Sequence, residues 1–344
     1  MLASSKLFKL FPPPAFLLLP HTGLDISDDG IRFISYRGVG SSRKIAKSGS
    51  VSMPEGLFVG GDIKDEKLFV SILSALAKEH GIKEVKVSIP EEKAYLFQTN
   101  VPTTNERSIV QNIESKIEEN VPLSAPDAVF YFDLLPRIVT GGDLRASVSV
   151  VPRTYIERYT KLLSEAGLAP VSFETAPKAI ARAVIRGSSE ATRLIIHRMK
   201  HKTGIYIASG GAIHFTFTSP WGIEISAGNG PQDDLAREIA RIRSFWLSHG
   251  NGRAVSEAMV VGDGAEELEP YLQSLGGDMP LSVIVPNVWE NAFDVDSYLP
   301  HISRAESLGY SVAIGLAFDT HHSFQSCFIL SFHKKDVRSC TGNI

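Results

Sequence analysis

Cysteine is almost absent from this chain. Only Cys327 and Cys340 occur, both close to the C-terminal end, and no Cys-x-x-Cys pair is present. A disulfide framework and a cysteine-ligated zinc site are therefore excluded, and the scarcity fits a reducing compartment. There is no excess of positive charge: the formal net charge is −3 and the pI about 6.4. A global basic field that would hold nucleic acid is missing, so no nucleic-acid partner is expected. Long hydrophobic runs are missing too. Near the N-terminus, Lys6 and Lys9 precede an apolar stretch, but Pro12, Pro13 and Pro14 interrupt it and leave only Ala15 to Leu19 before Pro20. A secretory h-region needs about 7–15 uninterrupted apolar residues and a spanning helix about 20. Residues 1–20 are expected to form an extended arm, and no transmembrane segment is expected elsewhere. What remains is ordinary globular composition, 43% hydrophobic and 21% charged, in a chain long enough for one large domain or two to three smaller ones.

The pattern along the chain alternates strands and helices. Leu24 to Ile34 reads as strand, Ser-Asp-Asp-Gly turn, strand. A helix is predicted from Asp65, its cap, to His80, with Leu68, Phe69, Ile72, Leu73 and Leu76 as the apolar stripe and Gly81 as the stop. Strands follow at Val85–Ile89 and Ala94–Val101. Thr103 to Glu106 has the form of a capping box, and Ile109, Ile113 and Ile117 then recur every four residues until Pro122. Strands at 128–135 and 145–151 flank Gly141-Gly142, and a helix opens at Thr154 and ends at Gly167. Residues 94–166 thus read as a separate α+β unit. Beyond it come a strand at 171–174, a helix at 177–185, a four-strand meander (193–197, 204–208, 213–217, 222–226), a helix at 233–249 and a strand at 259–261. A glycine-rich turn, helix 268–275, strand 281–285 and an apolar segment 310–318 complete the pattern. No sequence repeat is evident. The expected class is α/β: two mixed α/β halves with a small insert in the first.

Several motifs, in order, carry a resemblance. They are Gly23-Leu-Asp-Ile-Ser-Asp-Asp-Gly-Ile-Arg-Phe33; Ser88-Ile-Pro90 with Val101-Pro102; the helix from Ile113 ending in Val121-Pro122; and Leu163-Ser-Glu-Ala-Gly-Leu-Ala-Pro170 with Phe173-Glu174 and Ala179-Ile180-Ala181. Glu238-Ile-Ala-Arg241 with Phe245-Trp246 and Tyr310-Ser-Val-Ala-Ile-Gly-Leu-Ala317 follow. In this order they resemble the PilM family of type IV pilus assembly proteins, relatives of FtsA within the actin-like ATPases, over roughly residues 20–318. The resemblance implies an actin-like (ribonuclease H-like) fold with an N-terminal arm (1–20), a first half (21–93 and 167–190), an inserted α+β subdomain (94–166), a second half (191–318) and a C-terminal tail (319–344).

In that superfamily two β-hairpins clamp the nucleotide phosphates. The resemblance places Asp25, Ser27 and Arg32 on the first hairpin, Thr203 on the second, and Gly262 and Gly264 in an adenosine loop. Asp25 either holds a magnesium-bound water or only ends a strand; the Gly-x-Gly either supports a base or is a plain tight turn. The second hairpin departs from the pattern: His197 stands where Asp is expected and Met199 where Gly is expected. Trp221 to Pro231 leads almost directly into the Glu-Ile-x-Arg helix, so the lid over the nucleotide is reduced. Neither metal ligation nor enclosure is intact, and no catalytic residue is assigned. No cofactor is expected; ATP and Mg²⁺ would enter only if the degenerate cleft still binds nucleotide. His197, His201, His214, His321 and His322 fit no standard metal site.

The resemblance further implies a cytoplasmic adaptor at the inner face of the membrane. Its partner would be the cytoplasmic tail of a PilN-like inner-membrane protein, held in a groove between the first half and the insert, with the pilus motor ATPases as further partners. Two alternatives differ in kind. One is an active ATPase or phosphotransferase; the other is an FtsA-like divisome protein, for which Phe324, Phe328 and Phe332 before Lys334 and Lys335 would supply an amphipathic tail.

Overall fold

The computed structural model describes residues 21–318 apart from 39–41, 103–105, 136–143, 188–190, 223–230, 250–253, 256, 275–280 and 295–297. The expected N-terminal arm, the start of the capping box at Thr103, Gly141-Gly142, most of the fourth meander strand and the phenylalanine-bearing tail lie outside the described residues.

The first half is a five-stranded sheet. Strands β1 (Thr22–Ser27), β2 (Gly30–Arg37) and β3 (Lys44–Val51) form an antiparallel meander. The short hairpin β4 (Phe58–Val59) and β5 (Asp62–Ile63) precedes helix α1 (Glu66–His80). Strand β6 (Glu84–Ile89) then lies parallel to β1. The sheet is completed after the insert by β10 (Ala169–Thr175), parallel to β6. The Asp65 side chain accepts from Leu68 N–H at 3.0 Å to cap α1, and Gly81 ends it with φ 60°. Phe69, Leu73, Leu76 and Ala77 are buried in the helix; Leu68 is exposed, because five stripe positions span a wider arc than one sheet face covers.

The insert holds β7 (Tyr95–Val101), helix α2 (Glu106–Asn120), β8 (Ala128–Leu135) and β9 (Leu144–Pro152), with β9 central in a three-stranded antiparallel sheet. Ile109, Ile113 and Ile117 are fully buried against Ala146, Val148 and Val150 of β9. Helix α3 (Arg153–Glu165) does not belong to this unit, contrary to the sequence reading. Its Ile156, Tyr159, Leu162 and Leu163 share a core with Leu24, Phe33 and Phe69 of the first half. An amphipathic stripe announces a buried face without naming its partner sheet. β9 runs straight into α3, which begins at Arg153, one residue before the expected start, with no side-chain cap.

Helix α4 (Ala176–Val184) follows β10. The second half contains β11 (Arg193–Arg198), β12 (Thr203–Ser209), β13 (Ala212–Ser219), α5 (Pro231–His249), β14 (Glu257–Gly262), α6 (Ala265–Ser274), β15 (Ser282–Ile284), α7 (Arg304–Gly309) and α8 (Ser311–Ala317). Its sheet order, β13-β12-β11-β14-β15, repeats β3-β2-β1-β6-β10 strand for strand, with the same antiparallel and parallel pairings. The repetition is topological and leaves no trace in the sequence. Helices α4 and α8 cross at the join of the halves. A side chain on Gly315 would meet the Ala179 carbonyl oxygen at 1.8 Å, and one on Gly23 the Ala313 oxygen at 2.1 Å, so both positions must be glycine for the backbones to pack. One continuous core runs through this crossing and includes Ile34, Ala179, Ile196 and Ile314.

Candidate functional site

The β1–β2 and β11–β12 hairpins face each other where the two halves meet. In the first, Asp28 and Asp29 form a two-residue turn, and Ser27 Oγ donates to the Gly30 carbonyl at 3.4 Å. Asp25 lies within β1, not at its end. Its carboxylate accepts from Ser88 Oγ at 2.8 Å, and the same oxygen of Ser88 accepts from Ile26 N–H at 3.0 Å. Burial pushes the Asp25 carboxyl up to about 6, only partly offset by Ser88 and Arg32. Arg32 reaches out of the first half: its guanidinium lies 2.5 Å from Asp263, between Gly262 and Gly264 of the second half.

The second hairpin turns at Met199, whose N–H donates to the Lys202 carbonyl at 3.0 Å. His197 is 8% exposed, and its ring is pushed down to about 3 by burial, with Arg32 and Lys202 adding to the effect. It is neutral at pH 7 and brings no negative charge. Met199 is buried, and Thr203 Oγ1 donates to the Trp221 carbonyl. Lys202 bridges to Asp28 at 3.1 Å and to Glu92 of the 3-10 turn that leads into the insert. Burial lowers its ammonium, but Glu92, Glu91 and Asp28 together outweigh burial and hold it above the usual lysine range. The Lys200 N–H faces both oxygens of Asp29.

Gly262 and Gly264 adopt φ 94° and 66°. A side chain on Gly262 would meet the Arg198 carbonyl oxygen at 2.0 Å; one on Gly264 would meet Arg198 Nη1 at 2.6 Å. The guanidinium of Arg198 donates to the Gly264 carbonyl. The loop glycines are thus explained by the close approach of Arg198, the tight-turn reading. Asp25, Ser27 and Arg32 lie on the first hairpin and Thr203 on the second; Arg32 on Asp263 and Arg198 on Gly264 tie both to the Gly262–Gly264 turn, and the polar side chains are already engaged within the chain. Among the described residues no cluster of His, Cys, Asp and Glu has the arrangement of a metal site. Only residues 220–230 separate β13 from α5, too short a stretch for a lid subdomain.

Sequence reasoning missed Asp29, Lys202, Asp263 and Lys178. Lys178, on α4, is buried; it donates to Asp133 of β8 at 2.6 Å and to the Gly211 carbonyl at the β12–β13 turn at 2.8 Å. It therefore joins the first half, the insert and the second half. Nearby, Ser147 Oγ of β9 donates to the Ile213 carbonyl and Gln98 of β7 to the His214 carbonyl. A small cavity lined by Glu91, Leu96, Ser149, Thr175, Ile213 and Thr216 marks the same junction.

The other surface of interest lies where the insert leaves the first half. Among the described residues β7 pairs with β9 alone, and every residue from Tyr95 to Asn100 is at least partly accessible. Tyr95 is 40% exposed and Val59, at the β4–β5 hairpin, 51%. That hairpin is fixed to the start of the insert by Lys93 on Asp62 at 2.8 Å, and to α3 by Tyr155, whose hydroxyl donates to the Gly61 carbonyl at 3.1 Å.

No family model and no curated protein matches the chain. Solved structures do. A chain of a PilM–PilN type IV pilus biogenesis complex superposes with a TM-score of 0.70 at 16% identity, over 86% of this chain and 97% of that one. The cytoplasmic domain of EpsL, an inner-membrane component of the type II secretion system of Vibrio cholerae, aligns with a TM-score of 0.47 at 12% identity, over 85% and 94%. A Bacteroides thetaiotaomicron protein with an actin-like ATPase fold gives 0.43 at 11% identity, over 80% and 93%. The chain has the actin-like ATPase fold, as the resemblance implied.

Proposed function

We propose that this chain is a PilM-like adaptor of type IV pilus assembly that binds the cytoplasmic tail of a PilN-like inner-membrane protein and does not turn over ATP. The observation that carries the reading is the insert. It is a small sheet with an accessible outer edge on β7, beside the exposed Val59 of a hairpin tied to it by Lys93 and Asp62. Such an edge takes an extended peptide by backbone hydrogen bonds, with alternate side chains seated in apolar pockets. The fold likeness to a PilM–PilN complex supports the choice of partner. The absence of turnover rests on the second hairpin, where His197 is uncharged and a buried Met199 stands where the resemblance expects glycine. A seat at the inner face of the cytoplasmic membrane follows from the partner; no described helix is long and apolar enough to cross a bilayer. Contact with the pilus motor ATPases would complete the adaptor role.

The test is a fluorescence-anisotropy titration of labelled tail peptides from inner-membrane pilus proteins. Saturable binding that weakens about tenfold in Tyr95→Ala is expected, about 1.4 kcal/mol for loss of one partly buried aromatic contact. Binding unaffected by Tyr95→Ala and by Val59→Asp would sink the groove assignment, and no binding of any such tail would sink the partner.

A further inference from the structure

The two hairpin turns meet tip to tip, and their contact has the chemistry of an anion site filled from within the chain. Asp29 sits in the β1–β2 turn. Its two oxygens lie 3.1 and 3.0 Å from the backbone nitrogen of Lys200 in the β11–β12 turn, which donates to them. Burial and the charge of Asp263 raise the Asp29 carboxyl, and the Lys200 N–H with the positive charges of Arg32 and Lys202 act against that rise. A turn N–H flanked by cations is a common way for a protein to hold a phosphate or carboxylate oxygen. Two further ties cross from the first half to the second at the same level: Arg32 to Asp263, and Lys202 to Asp28 and Glu92. The partners of Asp29 and Arg32 lie 171 and 231 residues away, so no local chain preference brings them together.

We propose that Asp29 is a built-in anion that latches the two hairpins, and with them the two halves of the chain, in the closed position without any bound phosphate. A chain built in this way needs no nucleotide to hold its shape. An external phosphate would have to displace a carboxylate that is covalently tethered in the site, and tethering gives that carboxylate a high effective concentration. The inference is independent of which partner occupies the insert.

Double electron–electron resonance on the full chain tests it. Spin labels go on Lys67→Cys of α1 and Glu266→Cys of α6, both exposed positions, with Cys327 and Cys340 changed to serine. With Asp29 intact, one narrow distance distribution is expected, unchanged by MgATP or inorganic phosphate. Asp29→Ala should broaden it toward longer distances, and acetate or phosphate should restore it by entering the vacated notch. Narrowing of the intact protein on adding MgATP or phosphate would overturn the latch. So would a narrow distribution in Asp29→Ala, or broadening that neither anion reverses. Should Asp29→Ala lose its far-ultraviolet circular dichroism, Asp29→Asn decides the matter, since it keeps the shape and removes the charge: broadening supports the latch and an unchanged distribution overturns it.

Discussion

Lys178 and Asp133 form an ion pair at 2.6 Å, with side chains only 8% and 16% exposed, between helix α4 of the first half and strand β8 of the insert. The same ammonium donates to Gly211 of the second half, so one cation holds three parts of the chain in register. Removing one partner of a buried pair strands the other. Lys178→Met is expected to lower stability by about 3–5 kcal/mol in urea unfolding, and Lys178→Met with Asp133→Leu by less than either single change. Additive losses in the double variant would show that the two side chains are not coupled.

His197 should dominate the acid limb of stability. Its folded value, about 3, is below the ordinary 6.5, so the unfolded chain binds more protons between those limits. Stability is therefore lost as pH falls through that window, with a slope approaching about 1.4 kcal/mol per pH unit from this group. Asp25 works in the opposite sense. Its folded value, about 6, is raised from 3.8, so protonation stabilises the fold as pH falls between them. Chemical denaturation from pH 7 to pH 4 should show a shallower loss for His197→Phe than for the unmodified chain, and a steeper one for Asp25→Asn. Equal slopes in all three would remove both groups from the account.

The carboxamide of Asn291 closes the C-terminal end of α4, with Nδ2 at 3.0, 3.1 and 2.9 Å from the carbonyls of Arg182, Ala183 and Ile185. Helix carbonyls at this position have no partner within the helix. Asn291→Ala should cost about 1–3 kcal/mol. Asn291→Asp, which keeps the size but presents acceptors to acceptors, should cost at least as much. Thermal unfolding of the two variants checks the order.

The insert should lose its core before the rest of the chain does. Ile113 is fully buried in the packing of α2 on β9. Ile113→Ala is expected to cost about 2–5 kcal/mol. Hydrogen exchange should rise first in 106–120 and in the strands that α2 covers. A uniform rise across both halves would show that the insert does not open by itself.

Much of this architecture was legible in the sequence, for local reasons. The Ser27–Gly30 turn, the Asp65 cap, the Gly81 stop and the four-residue spacing of Ile109, Ile113 and Ile117 are each set by neighbours in the chain. The misplaced element, α3, has an equally clear stripe; which sheet it covers depends on how the chain returns from β9, and periodicity does not carry that. The cleft was half legible. The substitutions at His197 and Met199 stood out as departures from a pattern, whereas the partners of Arg32 and Asp29 lie in distant segments and have no local signature. Gly262 and Gly264 were read either as an adenosine loop or as a tight turn, and both readings call for glycine. The requirement came from the approach of Arg198, which only the packed structure brings to them.

The most direct measurement is hydrogen–deuterium exchange of the full chain with and without a saturating PilN-like tail peptide, followed by mass spectrometry. The account predicts protection confined to the insert edge and its neighbouring hairpin, residues 58–63 and 91–101, with no change on adding MgATP. Protection centred on 193–285, or protection of the cleft hairpins by MgATP, would contradict it.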